Sequence, residues 1–315
     1  MKREILVGVK KFFISAVSPF DFDLTAKIFS GGDRQIQNYD KGRYWQVIRI
    51  NGKLILVAVK AAGSVNKPKL QVELASNEEI STIEKKSAEN VVRTVFNLDL
   101  DLKPFYKQIG HDEPLRNAVQ KLIGLKNPGT PTVFEALVDS AVEQQISLNV
   151  ANSMETRIIK TFGDQLTLKG EVFYAFPTPQ QLGSASVEQL RKCGLSSRKA
   201  EYIQEISRLV MKGKLDLEEL KRCEDGTRII GELDRIRGIG VWTAEMTMLR
   251  GMQKLEALPA DDLGLRRVIS HYYRGDARLS GEEVRGISAK WGKWKGLAAF
   301  YLVMAEMIEH ETRRT

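Results

Sequence analysis

The sequence predicts an α+β fold: an antiparallel β-sheet with accompanying helices over residues 1–105, then helical structure over residues 106–315. Three observations carry this expectation. The stretch RYWQVIRINGKLILVAVK holds two apolar runs joined by Asn51-Gly52, a dipeptide suited to a two-residue hairpin. The stretch KLQVELAS alternates cleanly and sets Leu70, Val72 and Leu74 on one face. Beyond Tyr106 the apolar residues recur at helical spacing almost throughout.

The elements follow in order. In the first run, Trp45, Val47 and Arg49 alternate with Gln46, Ile48 and Ile50, an imperfect alternation. Residues 78–96 read as a helix with Val91, Val92 and Val95 turned inward. NLDLDLKPF, residues 97–105, reads as a crossover. Phe134, Leu137, Val138, Val142 and Ile146 share a helical face, and that pattern ends at Phe162-Gly163, with glycine a natural C-cap. Residues 176–213 read as a proline-rich lead-in, a helix, a turn at Gly194 and a second helix. LRKCGLSSRKAEYI and LDRIRGIGVWTAEM echo one another as helix, glycine turn, helix.

Bulk properties narrow the function. A chain of 315 residues, 43% hydrophobic, can form two domains or one large one. Its net charge of +8 suits a phosphate-bearing partner, although many soluble proteins carry such an excess without one. Cys193 and Cys223 alone exclude a disulfide framework, a four-cysteine zinc site and a four-cysteine iron–sulfur cluster, and they fit a reducing compartment. MKREILVGVKKFF lacks the apolar core and cleavage site of a secretory signal, and the longest apolar run, GLAAFYLVMA, is too short to span a bilayer. The expectation is a soluble, intracellular protein.

LDRIRGIGVWTAEMTMLRG places Gly238-Ile239-Gly240 between two helical patterns. Two glycines permit a sharp turn and close approach by another molecule, while Ile239 faces inward as a plug. The helix starting near Val241 presents unpaired N–H groups and the positive end of its dipole, which together suit a phosphate. An ordinary tight helix–helix turn needs the same glycines. No strand precedes them and no third glycine follows, so this is not a dinucleotide motif.

ALPADDLGLRRVISHYY follows, with Asp261 and Asp262 at a helix start behind Pro259. The helix dipole favours a carboxylate there, and an N-cap explains one aspartate but not both. A carboxylate beside a phosphate grip makes chemical sense if it faces a developing cation. Cleavage of an N-glycosidic bond passes through such a sugar cation. His111, His271 and His310 are scattered and suggest no general acid.

LDRIRGIGVWTA followed by PADDLGLRR resembles the helix-hairpin-helix, Gly/Pro-rich loop and aspartate signature of base-excision DNA glycosylases. AVEQQIS, FPTPQQL, GLSSRKAEYI and FDFDLTAKIFSGG resemble the 3-methyladenine DNA glycosylase II branch of that HhH-GPD superfamily, and the likeness covers nearly the whole chain. It implies three domains: residues 1–105; residues 106–132 with 255–315, bearing the catalytic aspartate; and residues 133–254, bearing the hairpin. The active site would lie in the cleft between the two helical parts.

The resemblance implies Asp262 as the catalytic aspartate and Gly238, Ile239, Gly240 and Thr243 as the DNA-phosphate hairpin. Gln145 would wedge into the gap left by a flipped nucleotide. The carbonyls of Asp234, Ile236 and Gly238 would hold a structural monovalent cation. No cofactor is required, no iron–sulfur cluster is expected, and the partner is double-stranded DNA bound by a monomer. Trp242 stands where lyase relatives carry a lysine, which implies a monofunctional enzyme that leaves an abasic site. Its ring would stack on the base, with Met246, Leu263 and Val303 at other pocket positions that are aromatic in the well-known bacterial form. The alternatives are hypoxanthine or another lesion as substrate, or a non-catalytic DNA-binding module in which Asp261 and Asp262 only cap a helix. No nucleotide or metal motif supports a metabolic enzyme.

Overall fold

The computed structural model describes residues 8–312, with side chains through residue 310. Five strands form an antiparallel sheet in the order β1-β5-β4-β3-β2: β1 (Gly8–Ser15), β2 (Gln37–Asp40), β3 (Arg43–Ile50), β4 (Lys53–Ala61) and β5 (Lys69–Ser76). Asn51 and Gly52 take φ of 51° and 81°, so the expected hairpin joins β3 to β4 with Ile50 opposite Lys53. Leu70, Val72 and Leu74 are buried, as their alternation requires.

The helix behind the sheet runs Thr82–Val95 and starts later than the periodicity suggests. The reason is the cap. The Ser81 hydroxyl accepts from the Glu84 N–H, and the Glu84 carboxylate accepts from the Ser81 N–H, so the first turn is satisfied only from Ser81 onward. Lys53 Nζ lies 2.9 Å from the same carboxylate and links the hairpin to the helix start. With the hydrogen bonds from Lys53 first, these contacts lower the Glu84 pKa to about 2. Val92, Val95 and Phe96 close the core against Tyr44, Ile55 and Val57.

The imperfect alternation of β3 has a structural cause. Its outer face is covered by an unexpected two-stranded sheet, β6 (Gln165–Leu168) and β7 (Glu171–Tyr174). Val47 packs there with Leu166, Leu168, Phe173 and Ala175, so β3 is buried on both faces and needs apolar residues in both registers. Arg49 pairs with Asp164 at 2.7 Å beside it.

The helical region holds two further apolar clusters. One surrounds the helix Val133–Glu143 and takes in residues from 133 to 257. The other joins residues 102–125 to the helix Lys295–Thr312, with Trp291, Leu297, Tyr301 and Leu302 at its centre. Lys126 sits fully buried where the sheet meets the helices. Its Nζ donates to the carbonyls of Val17 and Leu98 at 3.0 and 2.9 Å, and burial lowers its pKa to about 8.

The continuous helical pattern through Ile146 is broken in the structure. One helix ends at Glu143 and another runs Leu148–Phe162, because Gln145 takes φ of 57°. Lys199 Nζ donates to the carbonyls of Val142 and Gln144 at 2.7 and 2.6 Å, satisfying the helix end from outside. Ile146 still packs on the core, which is why the period carries through the break. Gly163 caps the second helix in an extended conformation (φ −73°, ψ 156°), since the chain turns straight into β6. Residues 179–192 form two short helices, Pro179–Ser184 and Val187–Lys192, each opened by its own capping box.

Candidate active site

The hairpin is built from the helices Gly226–Asp234 and Val241–Gly251. Ile236 O accepts from the Ile239 N–H at 2.9 Å to tighten the turn, and the Ile239 side chain is 2% exposed in the core between the helices. The two glycines serve different ends. Gly238 has φ of 89°, and a Cβ there would overlap the Tyr202 ring. Gly240 is the N-cap of the second helix, has no side-chain cap bond, and would place a Cβ in open space. The first turn at Val241, Trp242 and Thr243 therefore has an uncapped, unobstructed N-terminus that can receive an anion.

Gly238→Ala is expected to cost about 2 kcal/mol of stability, from the left-handed backbone and the Tyr202 overlap. Thermal unfolding measures it. A variant as stable as the parent chain would show that the turn tolerates a side chain.

Thr243, expected in the hairpin, is 1% exposed, and its hydroxyl accepts from Gln144 Nε2 at 2.8 Å. The same Gln144 amide donates to Gly238 O at 2.8 Å, so one side chain ties the hairpin to the neighbouring turn. Sequence reasoning misses Gln144 and singles out its neighbour. The Gln144-Gln145 doublet is visible in the chain, but only the fold shows that one amide turns inward while Gln145 stands exposed on its left-handed tip. Among the carbonyls expected to hold a cation, Ile236 O and Gly238 O each already accept one hydrogen bond, which leaves each a second lone pair.

Asp262 is the N-cap of the helix Leu263–Arg274. Its Oδ1 accepts from the Leu265 N–H at 2.7 Å. Its Oδ2 accepts from Trp242 Nε1 at 3.3 Å, so the carboxylate reaches across to the hairpin helix. Capping and bridging are thus done by one residue, and the half-buried carboxylate is locked in orientation. Met246 lies one turn beyond Trp242, half-buried. Leu263, expected in the same pocket, is 76% exposed at the first position of its helix. Val303 is half-buried against the helical cluster of Trp291 and Tyr301.

The hairpin, the capped aspartate and the tip at Gln145 together define a class: a helix-hairpin-helix protein that presents a fixed carboxylate beside an anion grip. Residues 138–293 match the family described as HhH-GPD superfamily base excision DNA repair protein. The chain is 31% identical over 261 residues to the DNA-3-methyladenine glycosylase of Bacillus subtilis, an alignment covering 79% of this chain and 85% of that one. It is 26% identical over 183 residues to DNA-3-methyladenine glycosylase 2 of Escherichia coli, covering 58% and 61%. The solved 3-methyladenine DNA-glycosylase from Archaeoglobus fulgidus superimposes with a TM-score of 0.83 at 28% identity, covering 94% of this chain and 98% of that one.

The chain belongs to the HhH-GPD superfamily of base excision DNA repair proteins. Within it, the chain is a DNA glycosylase of the 3-methyladenine type, a hydrolase of N-glycosidic bonds.

Proposed function

We propose that this glycosylase releases alkylated purines of the 3-methyladenine kind from duplex DNA by hydrolysis, leaving an abasic site and an uncut strand. The observation that carries the proposal is the Trp242–Asp262 contact: at the hairpin position facing the carboxylate there is an indole and no amine to form a Schiff base. The names of the relatives supply the lesion class.

In this reading the N–H groups of residues 240–243 hold a backbone phosphate without reading sequence. Gln145, exposed on its tip, fills the gap when the damaged nucleotide turns out of the stack. The base departs with the electrons of the C1′–N bond, and the sugar is left cationic. The Asp262 carboxylate stabilises that cation, and water then adds to C1′ and loses a proton. An alkylated purine is already a good leaving group, so no strong acid is needed. The Trp242 ring adds a cation–π attraction of about 0.5–2 kcal/mol to a cationic base. A monovalent cation at the carbonyls of Asp234, Ile236 and Gly238 would stiffen the hairpin and add positive charge near the phosphate. In a prokaryotic source the working place is the cytoplasm, in association with the nucleoid. No described helix is long and apolar enough to cross a membrane.

The test is a panel of duplexes carrying single lesions, scored for released base and for strand cleavage before and after alkali. Release of 3-methyladenine with breaks only after alkali is expected. Cleavage without alkali, with borohydride trapping of the enzyme, would overturn the hydrolytic reading. Release of hypoxanthine instead would overturn the substrate class. A finer prediction concerns Trp242→Phe, which keeps an aromatic face and loses the N–H. It is expected to slow single-turnover release about fivefold, the worth of one hydrogen bond of about 1 kcal/mol. An unchanged rate would mean that the indole N–H does not hold the carboxylate.

A further inference from the structure

An N-cap accounts for Asp262 and leaves Asp261 unexplained. The two aspartates lie in the loop that follows Leu258, and that loop is held from one side by a small ionic assembly. Glu245 sits on the hairpin helix three residues beyond Trp242, on the same face, and is 3% exposed. Arg285, on the helix Gly281–Ser288, meets it with two hydrogen bonds of 2.8 and 3.1 Å. The same guanidinium donates to Leu258 O at 3.3 Å and lies 4.0 Å from Asp261 Oδ2. Asp261 Oδ1 occupies the space that a Cβ on Gly281 would take, over the first turn of the helix that carries Arg285. The hairpin helix therefore reaches the aspartate loop twice: Trp242 to Asp262 directly, and Glu245 through Arg285 to Leu258 and Asp261.

We propose that Arg285, braced by Glu245 and latched by Asp261, is a positioning residue that sets the Asp262 carboxylate against the sugar. This rests on the reading of Asp262 given above. The physical reason is that the cap bond and the Trp242 bond fix the end of the carboxylate, while its backbone sits on a loop that must be fixed separately. A displacement of about an ångström at a reacting group is enough to cost about a hundredfold in rate. A planar fork suits this task because it serves two carboxylates and a carbonyl at once. The first aspartate of the pair then has a role distinct from the second, and Gly281 is small so that the Asp261 side chain can lie over it.

The experiment measures single-turnover base release at saturating enzyme alongside affinity for a duplex carrying an abasic-site analogue. Arg285→Met is expected to slow release by about tenfold or more, with affinity within about threefold of the parent. Arg285→Lys, which keeps the charge and loses the fork, is expected to recover part of that rate. Asp261→Asn, at a side chain 64% exposed, is expected to slow release by about threefold with affinity kept, and it decides the matter if Arg285→Met does not fold. Parental rates in these variants, or losses of rate matched by equal losses of affinity, would overturn the clamp. Asp262→Asn is run beside them. Loss of release there with parental rates in the clamp variants sinks the clamp alone, whereas retained release there sinks the reading of Asp262 and the clamp with it.

Discussion

Replacing Asp262 by Asn is expected to slow base release by at least about a hundredfold, in line with the loss of a preorganised electrostatic partner of a transition state. The fold makes the substitution well controlled. Asp262 caps the helix Leu263–Arg274 through Oδ1, and asparagine caps a helix as well as aspartate does. The amide keeps the shape and the Leu265 bond, but it cannot carry the negative charge. Its nitrogen then faces Trp242 Nε1, donor to donor, and Trp242→Phe measures the loss of that bond alone. Affinity for an abasic-analogue duplex and the unfolding temperature are expected to stay close to the parent. Asp262→Ala removes the cap as well and is expected to cost about 1 kcal/mol of stability in addition. The pair of variants separates the two roles of one side chain. Base release at the parental rate by Asp262→Asn would show that the charge does not take part in bond cleavage and that Asp262 is a cap alone.

The second large effect concerns pH. Stability is expected to fall as pH rises from about 4.5 to about 8. Glu135, Asp139 and Glu143 recur every four residues along one face of the helix Val133–Glu143, with Glu155 facing them from the next helix. Arg250 pairs with Glu143 at 2.6 Å, and Gln46 Nε2 donates to Glu135 at 3.3 Å. Burial, reinforced by the charge of Glu155, raises the Glu135 pKa to about 8. Burial and Glu143 raise that of Glu155 to about 7, and burial with the neighbouring carboxylates pushes Asp139 well above its usual value.

Between the unfolded pKa near 4.5 and these raised values, the native state binds more protons than the unfolded chain. Stability therefore declines with rising pH across that window and levels off above it. Glu135, Glu155 and Asp139 all contribute to the drop in the same direction, because each holds its proton more tightly in the folded protein than in the unfolded chain. Unfolding temperatures measured at half-unit steps from about pH 4.5 to about pH 8.5 test this, and Glu135→Gln is expected to flatten the slope. A stability that rises through the window would mean that these carboxyls are ionised in the native protein.

Some of these features are legible in the chain and others are hidden in it. Asn51-Gly52 and the alternation at Leu70, Val72 and Leu74 act locally, and the hairpin and buried face follow from them. The β6–β7 hairpin is hidden because QLTLKGEVFY offers only two four-residue strands around Lys169-Gly170, within a chain of helical periods. Its burial comes from contact with Val47, which lies far earlier in the chain. Asp262 and the Gly-Ile-Gly turn are legible as capping and turn chemistry. That Oδ2 of the aspartate meets Trp242 is not, because the path of the intervening chain determines the meeting. Gln144 and Thr243 show the same limit. Thr243 belongs to the expected grip and Gln144 does not, yet the two side chains turn inward to each other.

The α+β order, the hairpin with its glycines, the helix that opens on a capping carboxylate, and the indole in place of an amine at position 242 can all be read from the chain. All of these depend on residue identity, backbone conformation and capping bonds within a few residues. Which glycine is held by a ring and which stands open, which glutamine points to solvent, and how Glu245 and Arg285 brace the loop of Asp261 emerge only in the folded molecule. The physical reason is reach. Those choices depend on side chains from distant segments meeting in one place, at Tyr202 with Gly238, Gln144 with Thr243, and Arg285 with Glu245 and Leu258, and only the folded chain brings those segments together.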